Sequence, residues 1–167
     1  MRLIPFLWVL LIIACDRPES SKPKNTNSEN QVDPVVFYTS LEDSIPQTAM
    51  QSLHLGRVTG IKVKSIDGNS VSYFEYQANK RDLLRVISQL PFSTHGVVAD
   101  TLCRRVNYDD YCSLRSLTSA FEQQKASSFW NIDTALYEVY ECIKSPQKHL
   151  LVVSKNSDQV YHRIEIL

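Results

Sequence analysis

The groups in this chain able to do chemistry are four histidines, three cysteines in its second half and a few carboxylates standing beside aromatic residues. His54, His95, His149 and His162 are far apart, with none within five residues of another and none beside paired cysteines. Zinc sites are built from such clusters, so no metal is expected. His162 alternates with apolar neighbours and fits a hydrogen-bonded histidine of a sheet. A nucleophile elbow of the G-x-S-x-G kind is absent. A Cys–His hydrolase would need Cys103 or Cys112 as a thiolate beside His149 or His162, and a structural disulfide accounts for those cysteines more simply. Gly56, Gly60, Gly68 and Gly96 are dispersed and make no phosphate cradle.

Two carboxylate groupings remain. Glu138 and Glu141 fall on a β-type run three residues apart, hence on opposite faces, and cannot converge on one substrate; solvent-facing positions suit them. Asp109 and Asp110 stand where a helix begins, a place where carboxylates cap and stabilise. Tyr108 and Tyr111 flank them, and Phe129 and Trp130 precede Asp133 in a segment read as a loop. Acidic and aromatic groups on loops make binding surfaces. Tyr108, Asp109, Asp110 and Trp130 are therefore the candidate partner-binding residues, with an aromatic core as the alternative use of Tyr111 and Trp130.

The elements that must position these residues follow from periodicity. Val35 to Thr39 is a β-type run. Ser44-Ile45-Pro46-Gln47 resembles a capping box, followed by a short helix whose face carries Ile45, Ala49, Met50 and Leu53. Arg57 to Tyr76 predicts a hairpin turning at Asp67-Gly68-Asn69. Asn79 opens a helix striped by Leu83, Leu84, Val86, Ile87 and Leu90 and stopped by Pro91. Gly96 to Val106 fits either helix or strand. Tyr111, Leu114, Leu117 and Phe121 repeat as one helical face. A three-stranded meander closes the chain: Tyr137 to Ile143, His149 to Ser154, and the alternating run from Val160 to Ile166. The spacing of Ala135, Leu136, Val139, Tyr140 and Ile143 also permits a helix at the first of these. Segregated strands and helices predict an α+β domain over residues 35–167, with a mainly antiparallel sheet and two to four helices.

Ahead of that domain the composition changes twice. Arg2 is followed by an apolar run from Leu3 to Ala14. The run is shorter than the ~20 residues that span a bilayer and has the length of an export-signal core. Residues 15–34 are polar, containing DRPESSKPKNTNSENQVD, and predict a flexible tether that holds the domain roughly 20–25 Å from its anchor. The junction Leu11-Ile12-Ile13-Ala14-Cys15 resembles the lipobox of bacterial lipoproteins. That resemblance implies cleavage before Cys15, a diacylglycerol on its thiol and acylation of the new amino terminus, several chains being what makes an anchor stable. Asp16 resembles the inner-membrane retention signal of enteric lipoproteins, with an outer-membrane location as the alternative. Either way the domain would face the periplasm.

Eighteen basic residues balance eighteen acidic ones, and removal of residues 1–14 takes away only Arg2. No basic excess exists to follow a phosphate backbone, so nucleic acid is not an expected partner. Export would place Cys103, Cys112 and Cys142 in an oxidising compartment, where one internal disulfide can persist. The short spacing of Cys103 and Cys112 across a polar turn favours that pair, leaving Cys142 as a buried apolar residue or a free thiol. With no catalytic grouping, cofactor motif or metal set, the expected function is a non-catalytic, membrane-anchored protein-binding module. An immunity or inhibitor protein against an envelope-attacking effector is one form of it; a structural or assembly lipoprotein is the alternative.

Overall fold

The computed structural model describes residues 34–65, 68–89, 103–144 and 146–167. Cys15, Asp16, the expected signal and nearly all of the tether lie outside the described residues, as do Leu90, Pro91 and residues 96–102 of the ambiguous segment. The described residues belong to a compact unit from Val32 to Leu167.

Seven strands form one antiparallel sheet: β1 Val35–Tyr38, β2 Thr59–Lys64, β3 Ser70–Gln77, β4 Cys103–Val106, β5 Tyr137–Lys144, β6 Gln147–Ser154 and β7 Gln159–Ile166. Their spatial order is β1-β2-β3-β7-β6-β5-β4. The hairpin and the three-stranded meander predicted from alternation are both present. Gly68 takes a φ of 88° in the first hairpin's turn, a conformation that suits a residue without Cβ. The run from Ala135 to Ile143 resolves as strand from Tyr137 onward.

Helices cover both faces of the sheet. On the first face lie a 3-10 turn, Leu41–Asp43, and two helices, α1 Gln47–Gln51 and α2 Lys80–Gln89. Their apolar sides, Leu41, Ile45, Ala49, Leu53, Leu83 and Ile87, pack on Phe74, Tyr76, Leu151, Val153, Val160 and Ile164. On the second face lie α3 Tyr108–Leu117, α4 Ala120–Lys125 and α5 Ser127–Trp130, with Tyr111, Phe129 and Trp130 packed on Val71, Tyr73, Val139, Leu150 and Val152. Strand β6 is apolar on both sides because it is buried on both.

The local signals differ from expectation in three places. The capping box belongs to Ser40 and Asp43, which close the 3-10 turn, and α1 starts after Pro46 without a side-chain cap. The single helix expected across Tyr111 to Phe121 is broken at Thr118: Ser119 caps a second helix by accepting from the Glu122 N–H at 3.2 Å, and Leu117 is left exposed. With α5, that break raises the count among the described residues to five α-helices rather than two to four.

Candidate functional site

At the β4 end of the sheet, Asn107 caps α3 by accepting from the Asp110 N–H at 2.8 Å. The cap is therefore Asn107, and Asp109 and Asp110 occupy the first turn, where the helix dipole favours carboxylates. Tyr108 is 61% exposed there. It lines a cleft of about 380 Å³ together with Arg105, Asn107, Thr134, Tyr137 and Glu138. Thr134, the residue after the Phe129–Asp133 segment, reaches this cleft, but no residue of the segment itself lines it. Trp130 is not part of it. It is 1% exposed, stacked 5.8 Å from Tyr111, and its indole N–H donates to the Tyr73 hydroxyl at 3.1 Å. The aromatic run that resembled a loop is a one-turn helix pressed onto the sheet.

Glu138 sits on the cleft wall as the acceptor of three groups: Lys80 Nζ at 2.9 Å, Arg105 at 3.2 Å and the Tyr140 hydroxyl at 2.9 Å. The Lys80 hydrogen bond, then that of Tyr140, holds its carboxyl below the usual range. Glu141, on the opposite face, is buried rather than solvent-facing. Burial alone would raise its pKa, but hydrogen bonds from Lys148 and Arg104 outweigh it and hold the group low. Neither carboxyl keeps a proton at neutral pH, so neither is suited to act as a general acid.

Glu141 is part of a charged row across the second face. Arg104 on β4 and Lys148 on β6 both bind it, Lys148 at 2.8 Å. Lys148 stands opposite Glu165 on β7. Arg163 binds Glu165 at 2.7 Å and reaches Glu122 and the Tyr73 hydroxyl, which itself donates to Glu122. Burial pushes the Tyr73 phenol up, with Arg163 opposing. Lys148, Glu165, Arg163 and Glu122 of this row line a second cavity of about 450 Å³, together with Val63, Leu114 and Leu117.

On the first face the imidazole of His162 is wholly buried between two partners. Tyr76 Oη lies 2.8 Å from its Nδ1, and His149 Nδ1 lies 2.9 Å from its Nε2. Desolvation lowers His149 to about 4 and His162 well below its ordinary value, so both rings stay neutral. In an arrangement satisfying all three, Tyr76 donates to His162 and His162 donates to His149. His162 is thus the sheet histidine that its alternation suggested. Among the described residues no three His, Cys, Asp or Glu side chains gather as metal ligands would.

The expected disulfide is corrected. Cys103 bonds Cys142, its direct cross-strand neighbour, and Cys112 is a free, half-buried thiol on α3. The physical reason is that Cys103 lies on β4 and Cys112 on a helix of the other face, while strand register sets Cys103 and Cys142 side by side. Local spacing missed Arg104, Glu141, Lys148 and Arg163 as well. The signal present was the alternation of β5 and β7, which places Glu141 and Arg163 on an inward face once the second helical layer is known. Comparison with protein-family models, with curated proteins and with solved structures found no match to this chain.

Proposed function

We propose that this chain is a lipid-anchored envelope protein whose domain is a non-catalytic protein-binding module, of the kind that blocks an envelope-attacking effector. The observation that carries the reading is the cleft at the β4 corner. It combines an exposed tyrosine with a wall formed by Tyr137 and Glu138, and Asp109 and Asp110 follow that tyrosine in the first turn of α3. Exposed aromatics anchor protein interfaces, and neighbouring carboxylates steer a basic partner. Glu141, Lys148, Arg163 and Glu165 are engaged in ion pairs, which suits a scaffold better than a reaction centre, and Asp110 itself lies 3.8 Å from Arg104. The lipobox resemblance at Cys15 supplies the anchor, and the neutral overall charge gives no reason to invoke nucleic acid.

The test is capture of partners from solubilised membranes by the intact protein and by a Tyr108→Ala/Asp110→Ala variant with unchanged melting. Selective loss of one bound protein supports the surface. Identical captured sets would end this assignment of the cleft. Replacement of Cys15 by serine should abolish acyl labelling and release the protein from membranes; persistence in the membrane fraction counts against the anchor. A structural lipoprotein of a larger assembly is the second reading, favoured by the exposed, uncharged edge strand β1.

A further inference from the structure

We propose that β1 is the surface through which two copies of this chain pair, edge to edge and antiparallel, with Phe37 at the two-fold axis. The direction of the backbone groups comes first. The Thr39 N–H donates to the Gly60 carbonyl at 3.2 Å, and the register sets Phe37 opposite Lys62 and Val35 opposite Lys64. Hydrogen-bonded pairs alternate along an antiparallel ladder, so Val35, Phe37 and Thr39 turn their backbone groups toward β2. The far side of β2 agrees: the Ser65 N–H donates to the Asn69 carbonyl at 2.8 Å, which assigns Val63 and Ile61 to β3. Val36 and Tyr38 therefore present both N–H and C=O outward. Among the described residues no strand pairs with that side of β1.

This edge is complementary to itself. A two-fold axis through Phe37 sets Val36 opposite the partner's Tyr38 and Tyr38 opposite the partner's Val36. Both residues of each pair point outward, so each pair exchanges both of its hydrogen bonds. A register centred on Val36 would oppose Tyr38 to Pro34, which has no N–H to give. The side chains agree with the backbone. Phe37 is 51% exposed and Tyr38 97% exposed; pairing sets Phe37 against the partner's Phe37 on one face and Val36 against the partner's Tyr38 on the other, the contacts that stabilise sheets.

Charge decides between a second copy and continued growth. Strand β1 has no charged residue, and the nearest lysine, Lys62, is one strand inward. In the pair, Lys62 and its counterpart are three strand spacings apart, about 14 Å, beyond the ~8 Å screening length of physiological salt. The opposite edge, β4, carries the exposed Arg104 and Arg105, a charged border that resists strand addition. A two-fold pair uses up β1 and closes the assembly.

The test uses the full chain carrying Cys15→Ser and Cys112→Ser, so that no other thiol competes. Phe37→Cys should give an interchain disulfide under mild oxidation, because the axis sets this residue against itself. Tyr38→Cys should stay largely monomeric on the same gel. Without added cysteine, light scattering should report a dimer mass that Phe37→Lys returns to monomer. Equal cross-linking at Phe37 and Tyr38, or a monomer at all concentrations, overturns the proposal. So does hydrogen-exchange protection of the Val36 and Tyr38 amides in a monomer, which would mean that another segment of the same chain covers β1. The cysteine comparison still decides if Phe37→Lys fails to fold.

Discussion

Cys103 and Cys142 face each other across β4 and β5 with their Cα atoms 4.2 Å apart, and the disulfide between them fastens the last strand of the sheet to its neighbour. Peptide mapping of the oxidised protein should return a Cys103–Cys142 linked fragment. Cys103→Ser should lower stability by about 2–4 kcal/mol, since the bond closes a loop of 39 residues. Cys112→Ser, at a half-buried free thiol, should cost less than about 1 kcal/mol. A linked Cys103–Cys112 peptide would contradict the register of β4.

Acid should unfold this domain in two stages. Burial holds His149 down to about 4 and His162 well below its ordinary value, both against 6.5 in the open chain. Below pH 6.5 the unfolded chain takes up protons that the folded chain refuses, so stability falls as pH drops from 6.5 toward 4. Each such ring contributes at most about 1.4 kcal/mol per pH unit. Glu138 and Glu141 are held below their ordinary 4.5 and add their loss only under that pH. Urea melts from pH 7.5 to 3.5 would show the early slope; a midpoint flat between pH 6.5 and 5 is inconsistent with two buried neutral histidines.

Tyr108 and Trp130 should respond oppositely to alanine. Trp130 fills the second core and donates to Tyr73, so its loss should cost about 3–5 kcal/mol. Tyr108→Ala should change stability by no more than about 0.5 kcal/mol, as an exposed first-turn residue. Paired thermal melts decide it, and a large loss at Tyr108 would remove it from the proposed binding surface.

Glu141→Gln tests the charged row. The carboxylate is 4% exposed, whereas Arg104 reaches water and Lys148 is mostly buried. Neutralising it removes the carboxylate that Lys148 binds at 2.8 Å, for an expected cost of about 1–3 kcal/mol. A double-mutant cycle with Lys148→Met measures the coupling, and a value near zero would mean that the row contributes no stability.

Much of the fold was legible because its signals are local. Period-two alternation revealed β7, the turn at Gly68 revealed the first hairpin, and Asn79 marked the start of α2 by accepting from the Arg81 and Asp82 N–H groups. What sequence reading missed depends on partners distant in the chain. Trp130 lies between Phe129 and Asn131 in sequence and beside Tyr73 in space. Glu141 looked solvent-facing because its two cations arrive from other strands. The disulfide followed register, and register across β4 and β5 is not written in the spacing of cysteines. Of the candidate surface, Tyr108 and its aspartates were readable as an exposed helix start; the cleft wall from Tyr137 and Glu138 was not.

The strand order has a consequence for the timing of synthesis. Strands β1 to β3 and strands β4 to β6 form two groups with no direct pairing between them; β7 joins them, hydrogen-bonded to β3 on one side and β6 on the other. The strand that knits the domain is thus made after all six strands of the two groups. Until Gln159–Ile166 exists, the first group ends in the open edge of β3 and the second in that of β6, and Tyr76 and His149 have no His162 between them. Closure of the sheet waits on β7. A chain built this way cannot complete its sheet until residues 159–166 have been made, and deletion of that strand should leave two half-sheets without the strand that pairs them rather than a smaller version of the domain.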